Sequence, residues 1–377
     1  MPTSTSPESA AASNWPGSVR GTANLQARLH MPIGLMVRCA VLLAVVLIAP
    51  QGEVCFAQKD TVHLVTPWSE KGRALILGDV IDFTGRELII KMPDGREARY
   101  PGERVALIET ERGPKQEAAE AALAAGDYRQ ALVQFKAAVA DEPRQWMRRK
   151  LLADVIWCYR NLGEFAPAGK TFLLLLQSDP TTLDLDAMPL DWESREPDPQ
   201  LAAVAKTWLD NRQVPAAVLM GASHLLNTAD RAVAVERLQA LVRTGSPPIA
   251  GLAEAQLWRT QLGTAQLAEV DRWPETIERL PARLRAGPYF VLGQALARMP
   301  DRSAAAALAF MHVPILYERD RGLSAAALLR AAELLEQGGD RGEAARIYRE
   351  LAEKHTASPA AKEARTKLEQ LHSGPSS

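Results

Sequence analysis

Gly126-Asp127-Tyr128-x-x-Ala131-x-x-x-Phe135-x-x-Ala138-x-x-x-x-Pro143 is the stretch on which the fold turns, because it comes back. The chain reads Gly163-Glu164-Phe165, Ala168, Phe172, Leu175 and Pro180 at the same spacings, 37 residues further on. A period of that length marks a repeat architecture, in which one pair of short helices cannot bury its apolar stripe until a neighbour stacks on it. Within each unit the Gly turns the chain and the small residues let two helices approach. The aromatic fills the gap to the next pair, and the Pro ends the second helix.

Working outward, Lys115 to Ala125 and Arg129 to Ala140 are expected as the first helical pair, and Trp146 to Pro180 as the second. In the second pair Ile156 and Leu175 replace small residues, so it should splay wider. The same register returns near the C-terminus at Gly339-Asp340, Ala344, Tyr348 and Leu351, followed by Ser358-Pro359-Ala360-Ala361, which opens a last helix to about Leu371. A weaker unit precedes it, with Tyr289, Leu292, Gly293 and Leu296 on one helix and Ala306, Phe310 and Val313 on the next, and one extra residue in the Met299–Arg302 turn. These positions resemble the tetratricopeptide repeat (TPR) family over roughly four helical pairs. The Ser-Pro-Ala-Ala step is similar to the junction in exported TPR proteins of the bacterial cell envelope. The resemblance implies an α-solenoid whose first helices line a concave, partner-binding face, while the repeat motif itself tolerates almost any function.

Between the repeats the pattern thins. Asp179 to Pro199 carries seven acids against one Arg and four prolines, a composition expected to form neither a helix nor a core. Its Leu185, Met188, Leu190 and Trp192 indicate that it lies back on the helices, as a docking element or a plain insertion. Leu201–Asn211, Val214–Leu226, Arg231–Arg243 and Ile249–Leu262 are helix-sized but irregularly spaced.

Upstream, Asp60 to about Thr110 changes period. Val62 and Leu64, Leu75 to Phe83, Leu88 to Ile90, Ala98 to Tyr100 and Val105 to Ile108 are β-rich runs punctuated by Thr84-Gly85 and Asp94-Gly95. Asp-Gly supplies the positive φ a tight hairpin needs. The pattern resembles a small SH3-like or Sm-like barrel, either docking a peptide or capping the first repeat.

Residues 1 to 30 are polar and aperiodic. Met31 to Arg38, the uncharged run Cys39 to Ala49 and the polar stretch ending at Ala57 read as a secretory signal cut before Gln58. Eleven residues span only about 17 Å as helix, against a hydrocarbon core of about 30 Å. Counted from Met31 the signal has normal length. The alternative is a retained inner-membrane anchor over 35–48. The expected organisation is therefore 1–57 extension and signal, 58–112 β domain, 113–180 TPR-like repeats, 181–200 acidic loop, 201–271 irregular α-solenoid and 272–377 C-terminal TPR-like repeats.

Charge removes one class of function: 44 basic residues balance 45 acidic ones, with no aromatic-interleaved basic tract, so nucleic acid is not an expected partner. No phosphate loop, dinucleotide fingerprint, nucleophile elbow or zinc motif occurs, so no catalytic residue, metal or cofactor is expected. Of three cysteines only Cys158 lies beyond the signal, on an apolar helix, where a buried inert thiol is expected. Ser223-His224 reads as a helix-surface or hydrogen-bonded pair. Candidate peptide-binding residues are Gln116 and Glu120 on the first helix and Lys150, Trp157 and Arg160 on the third. There Trp157 offers stacking and the flanking cations offer charge, unless Trp157 packs inside the second pair. The expected function is a non-catalytic scaffold for a protein or peptide partner, periplasmic or elsewhere in the envelope, touching membrane only through its signal or anchor. The rival expectation is an enzyme or accessory subunit acting on peptidoglycan or polysaccharide.

Overall fold

The computed structural model describes residues 59–65, 73–356 and 358–373. The signal and anchor expected over 1–57 lie outside them. Among the described residues the chain is mainly helical, with one small antiparallel sheet ahead of the helices, and no helix is long and apolar enough to cross a membrane.

The β-rich runs form β1 (Asp60–Val65), β2 (Arg73–Phe83), β3 (Glu87–Lys91), β4 (Glu97–Pro101) and β5 (Val105–Glu109), in the order β4-β3-β2-β1-β5. The two outermost strands are joined by a single 3-10 turn, Gly102–Arg104. Four steps of chain reach about 14 Å, whereas opposite edges of a flat five-stranded sheet stand about 19 Å apart. The sheet is therefore curled. Gly102 packs against the turn between β2 and β3, where an added Cβ would meet the Thr84 and Gly85 carbonyl oxygens at 2.5 Å. One face of each strand is apolar: Val62, Leu64, Val80, Leu88, Ile90 and Ile108 are buried and share a single core with Ala131, Phe135, Trp146 and Leu151 of the first helices.

The helices begin with α1 (Pro114–Ala124), α2 (Tyr128–Asp141), α3 (Gln145–Asn161) and α4 (Phe165–Ser178). Their joints are built alike. Gly126 and Gly163 have φ of +78° and +75°, as does Gly339 further on at +89°. That left-handed conformation costs an L-residue roughly 1–2 kcal/mol and costs Gly nothing. It lets each Gly N–H reach Leu123, Arg160 or Glu336, while the next N–H reaches Ala122, Tyr159 or Leu335, which satisfies the helix-end carbonyls in Schellman geometry. Asp127 and Asp340 then cap the following helix by accepting from the Gln130 and Glu343 N–H groups. The small and aromatic positions beyond each joint, Ala131 and Phe135, Ala168 and Phe172, Ala344 and Tyr348, are all fully buried.

The middle of the chain gives α5 (Pro199–Asp210), α6 (Pro215–Leu225), α7 (Arg231–Thr244), α8 (Pro247–Trp258) and two short helices, α9 (Leu267–Val270) and α10 (Trp273–Arg279). The chain then continues through α11 (Ala286–Leu296), α12 (Ser303–Leu316), α13 (Arg321–Gln337), α14 (Arg341–Lys354) and α15 (Pro359–Ser373). From α5 to α8 and again from α11 to α15, successive helices pack on one another. In the turn expected to hold an extra residue, Asp301 takes a positive φ of 59°. The Ser223-His224 pair is not on a helix surface. Ser223 exchanges hydrogen bonds with the Asp191 backbone, and His224 Nε2 lies 2.8 Å from the Pro189 carbonyl, both inside the protein.

The helix α3 organises the packing because it is buried on two faces. Leu151, Val155 and Cys158 face the core shared with the sheet, while Ala153, Ile156 and Trp157 face the larger core of the middle helices. Burial, helped by the charge of Asp154, pushes the Cys158 thiol up to about 12, which makes it a poor nucleophile.

Candidate binding cleft

The acidic stretch after α4 is not a surface loop. Ala187, Met188, Leu190 and Trp192 are buried in the main core, and the only regular element in the stretch is a 3-10 turn at Leu185–Ala187. An irregular backbone inside a protein must have its polar groups met, and helices from both sides meet them here. Gln256 Nε2 donates to the Asp191 carbonyl, Arg259 binds the Asp191 carboxylate, and Arg160 donates to the Asp186 carbonyl. An added Cβ on Gly287 would stand 1.9 Å from the Trp192 ring, so only Gly lets α11 approach this closely.

A second closure brings residues some 160 positions apart together. Arg160 on α3 pairs with Asp320, which also caps α13 by accepting from the Leu323 N–H. Asn161 accepts from the Gly322 N–H at 3.3 Å, and Arg319 pairs with Asp154.

These two closures frame a cleft of about 480 Å³. Its apolar lining includes Trp157, Met188, Leu190, Trp192, Leu252 and Leu284, and Arg160, Arg283, Arg285 and Arg319 supply positive charge. Helical spacing places Lys150, Asp154 and Trp157 on one face of α3, and Arg160 one turn beyond.

Of the residues expected to bind a peptide, Trp157 and Arg160 line this cleft, although neither is open to stacking. Trp157 is only 5% exposed, and the guanidinium carbons of Arg160 and Arg319 stand 4.1 and 5.3 Å from its ring centroid. The Trp157 ring is thus a wall held by two cation–π contacts, with its own arginine satisfied by Asp320 and Asp186. Lys150 stands further along α3, half-buried, and burial lowers the pKa of its amine despite Asp154 and Asp184. Gln116 and Glu120 are not among the cleft residues. Gln116 is buried and donates to Glu120 at 2.9 Å, and Glu120 also holds Arg112 at 2.8 Å.

Beside the cleft three carboxyl groups gather. Burial pushes Asp154 up to about 6 even though Arg319 and Lys150 oppose the rise. Asp184 and Asp186 are raised by burial as well, each opposed by Arg319 and Arg283. Sequence reasoning missed Asp154, Asp186, Arg283, Arg319 and Asp320. None lies in a spaced motif, and the one signal pointing their way was the apolar set Leu185, Met188, Leu190 and Trp192 inside an otherwise acidic stretch. Among the described residues no group of three His, Cys, Asp or Glu is placed to hold a metal ion. No protein-family model matches the chain, and no curated protein matches it.

Proposed function

We propose that this chain is an exported, non-catalytic scaffold that binds a protein or peptide partner in the bacterial cell envelope, built as a TPR-like α-solenoid behind an SH3-like β domain. The observation that carries the reading is the thrice-repeated joint at Gly126, Gly163 and Gly339, with identical end bonds and fully buried small and aromatic followers. Helical pairs joined in this way stack into a curved array whose first helices form an extended binding face. The curled sheet, with its outer strands tied by one turn, supports the barrel-like reading, and its shared core with α1 to α3 favours a cap on the first repeat.

The partner surface is placed on α1 and α3, at Glu120, Lys150 and the cleft edge beyond them. In-cell cross-linking with the full chain, followed by capture through a C-terminal tag, tests it. One envelope protein should be recovered from wild type and lost with the charge reversals Glu120→Lys and Lys150→Glu.

One observation favours a second reading, an enzyme acting on an envelope polymer. Asp154 from α3 and Asp184 and Asp186 from the acidic stretch converge beside an aromatic-lined cleft, and the raised Asp154 suits a general acid. Turnover of peptidoglycan or polysaccharide that is lost in both Asp154→Asn and Asp186→Asn would replace the scaffold reading.

A further inference from the structure

The cleft has a chemistry of its own, which does not depend on the scaffold reading. Its volume of about 480 Å³ falls within the roughly 300–1,000 Å³ of small-molecule sites, which pair an apolar lining with a few placed polar groups. The apolar side is supplied by the tryptophans and leucines described above. The polar side is decided by asking which charges are already spent.

Arg160 is spent on the Asp186 carbonyl and Asp320. Arg285 is spent on the Leu280 carbonyl and on both the carbonyl and the carboxylate of Glu278. Asp320 is taken by Arg160 and by the Leu323 N–H, and Glu318 faces Arg321 at 3.4 Å. Burial and the neighbouring Asp184 shift Asp186 toward its neutral form. Two cations remain with capacity. Arg283 donates Nη1 to the Leu183 carbonyl at 2.6 Å, and Arg319 binds Asp154 while its side chain stays 47% exposed. A guanidinium carries five N–H donors, so each keeps several for a ligand, and planar forks of this kind match carboxylate and phosphate oxygens.

We infer that the cleft binds a small amphipathic organic anion, a carboxylate or phosphate head on an apolar body, with the head held by Arg283 and Arg319 and the body laid on Trp157, Met188 and Leu190. An inorganic anion would leave the apolar lining wet. An alkylammonium would find the neighbouring carboxylates of Asp154 and Asp184 already facing Arg319.

Isothermal titration calorimetry of the full chain with octanoate and octyl phosphate tests this, with acetate, inorganic phosphate and octylamine as controls. One or both alkyl anions should bind saturably at one site, and the difference between them identifies the head. The exposed substitution Arg283→Gln should weaken binding by roughly tenfold or more, the size of a lost charge-assisted hydrogen bond. Ala282→Trp, also exposed at the cleft, should block the space and abolish binding. Raising the salt should weaken it, since exposed charges are screened. The proposal is overturned if neither alkyl anion binds, if octylamine or inorganic phosphate binds as tightly, or if both variants bind like wild type. It is also overturned if only an acidic peptide with an apolar end is bound.

Discussion

Asp191 Oδ2 and Arg259 Nη2 meet at 2.5 Å with side chains 5% and 2% exposed, joining the acidic stretch after α4 to the residue that ends α8. Arg259 also donates to the Ser223 carbonyl and the Gln256 side chain. A buried charge stripped of its partner has no water to turn to. Asp191→Ala should therefore cost about 3–5 kcal/mol, read as a shifted denaturant midpoint. A loss under 1 kcal/mol would mean that the acidic stretch does not hold the middle helices.

The joints separate two kinds of glycine. At Gly126 an added Cβ meets nothing within 4 Å, so Gly126→Ala loses only the left-handed conformation, about 1–2 kcal/mol. At Gly169 the added Cβ would lie 2.2 Å from the Trp208 ring, and this helical position needs space rather than a special φ. Gly169→Ala should cost about 1–3 kcal/mol through overpacking and should change near-ultraviolet circular dichroism. Gly126→Ala should leave that signal unchanged.

Ala131 and Ala344 are both fully buried where a second helix presses on its pair. Leucine at either should destabilise by about 1–3 kcal/mol, with different reach. Ala131 shares its core with the sheet, so Ala131→Leu should reduce hydrogen-exchange protection across residues 60 to 160. Ala344 belongs to a separate terminal core of α13 to α15, so Ala344→Leu should loosen that end alone. Unchanged exchange in both would remove the repeat register.

Much of this was legible beforehand. The five strands lie within a few residues of the β-rich runs, because alternating burial writes a period of two into the sequence. The helical joints were legible because Gly takes a left-handed turn without the steric cost that other residues meet there. The cleft was not. Arg160 with Asp320 and Asp154 with Arg319 are ion pairs across some 160 residues, and no local period encodes such a distance. Trp157 lines the cleft, but its ring is covered by an arginine from some 160 positions further along the chain, which no local pattern announces. The acidic stretch misled by composition, since acids held by partners inside a protein look the same in sequence as acids in water.

Asp154 gives a pH dependence with a definite sign. Burial holds its pKa at about 6 in the folded chain, above the ordinary 3.8. The folded state thus keeps the proton more tightly than the unfolded state. Its contribution to stability is fully present below about pH 4 and is lost as pH rises through about 6. The difference in unfolding free energy between wild type and Asp154→Asn should change over that window and stay flat above pH 7. A constant difference would place Asp154 in water.

The scaffold reading is tested most directly by in-cell cross-linking of the full chain with Glu120→Lys and Lys150→Glu beside wild type, followed by identification of the captured protein. One envelope protein should be captured by wild type and lost with the charge reversals, while both variants keep the wild-type far-ultraviolet circular dichroism. Capture that is equal in all three would contradict it. So would the absence of a partner together with polymer turnover that needs Asp154 and Asp186.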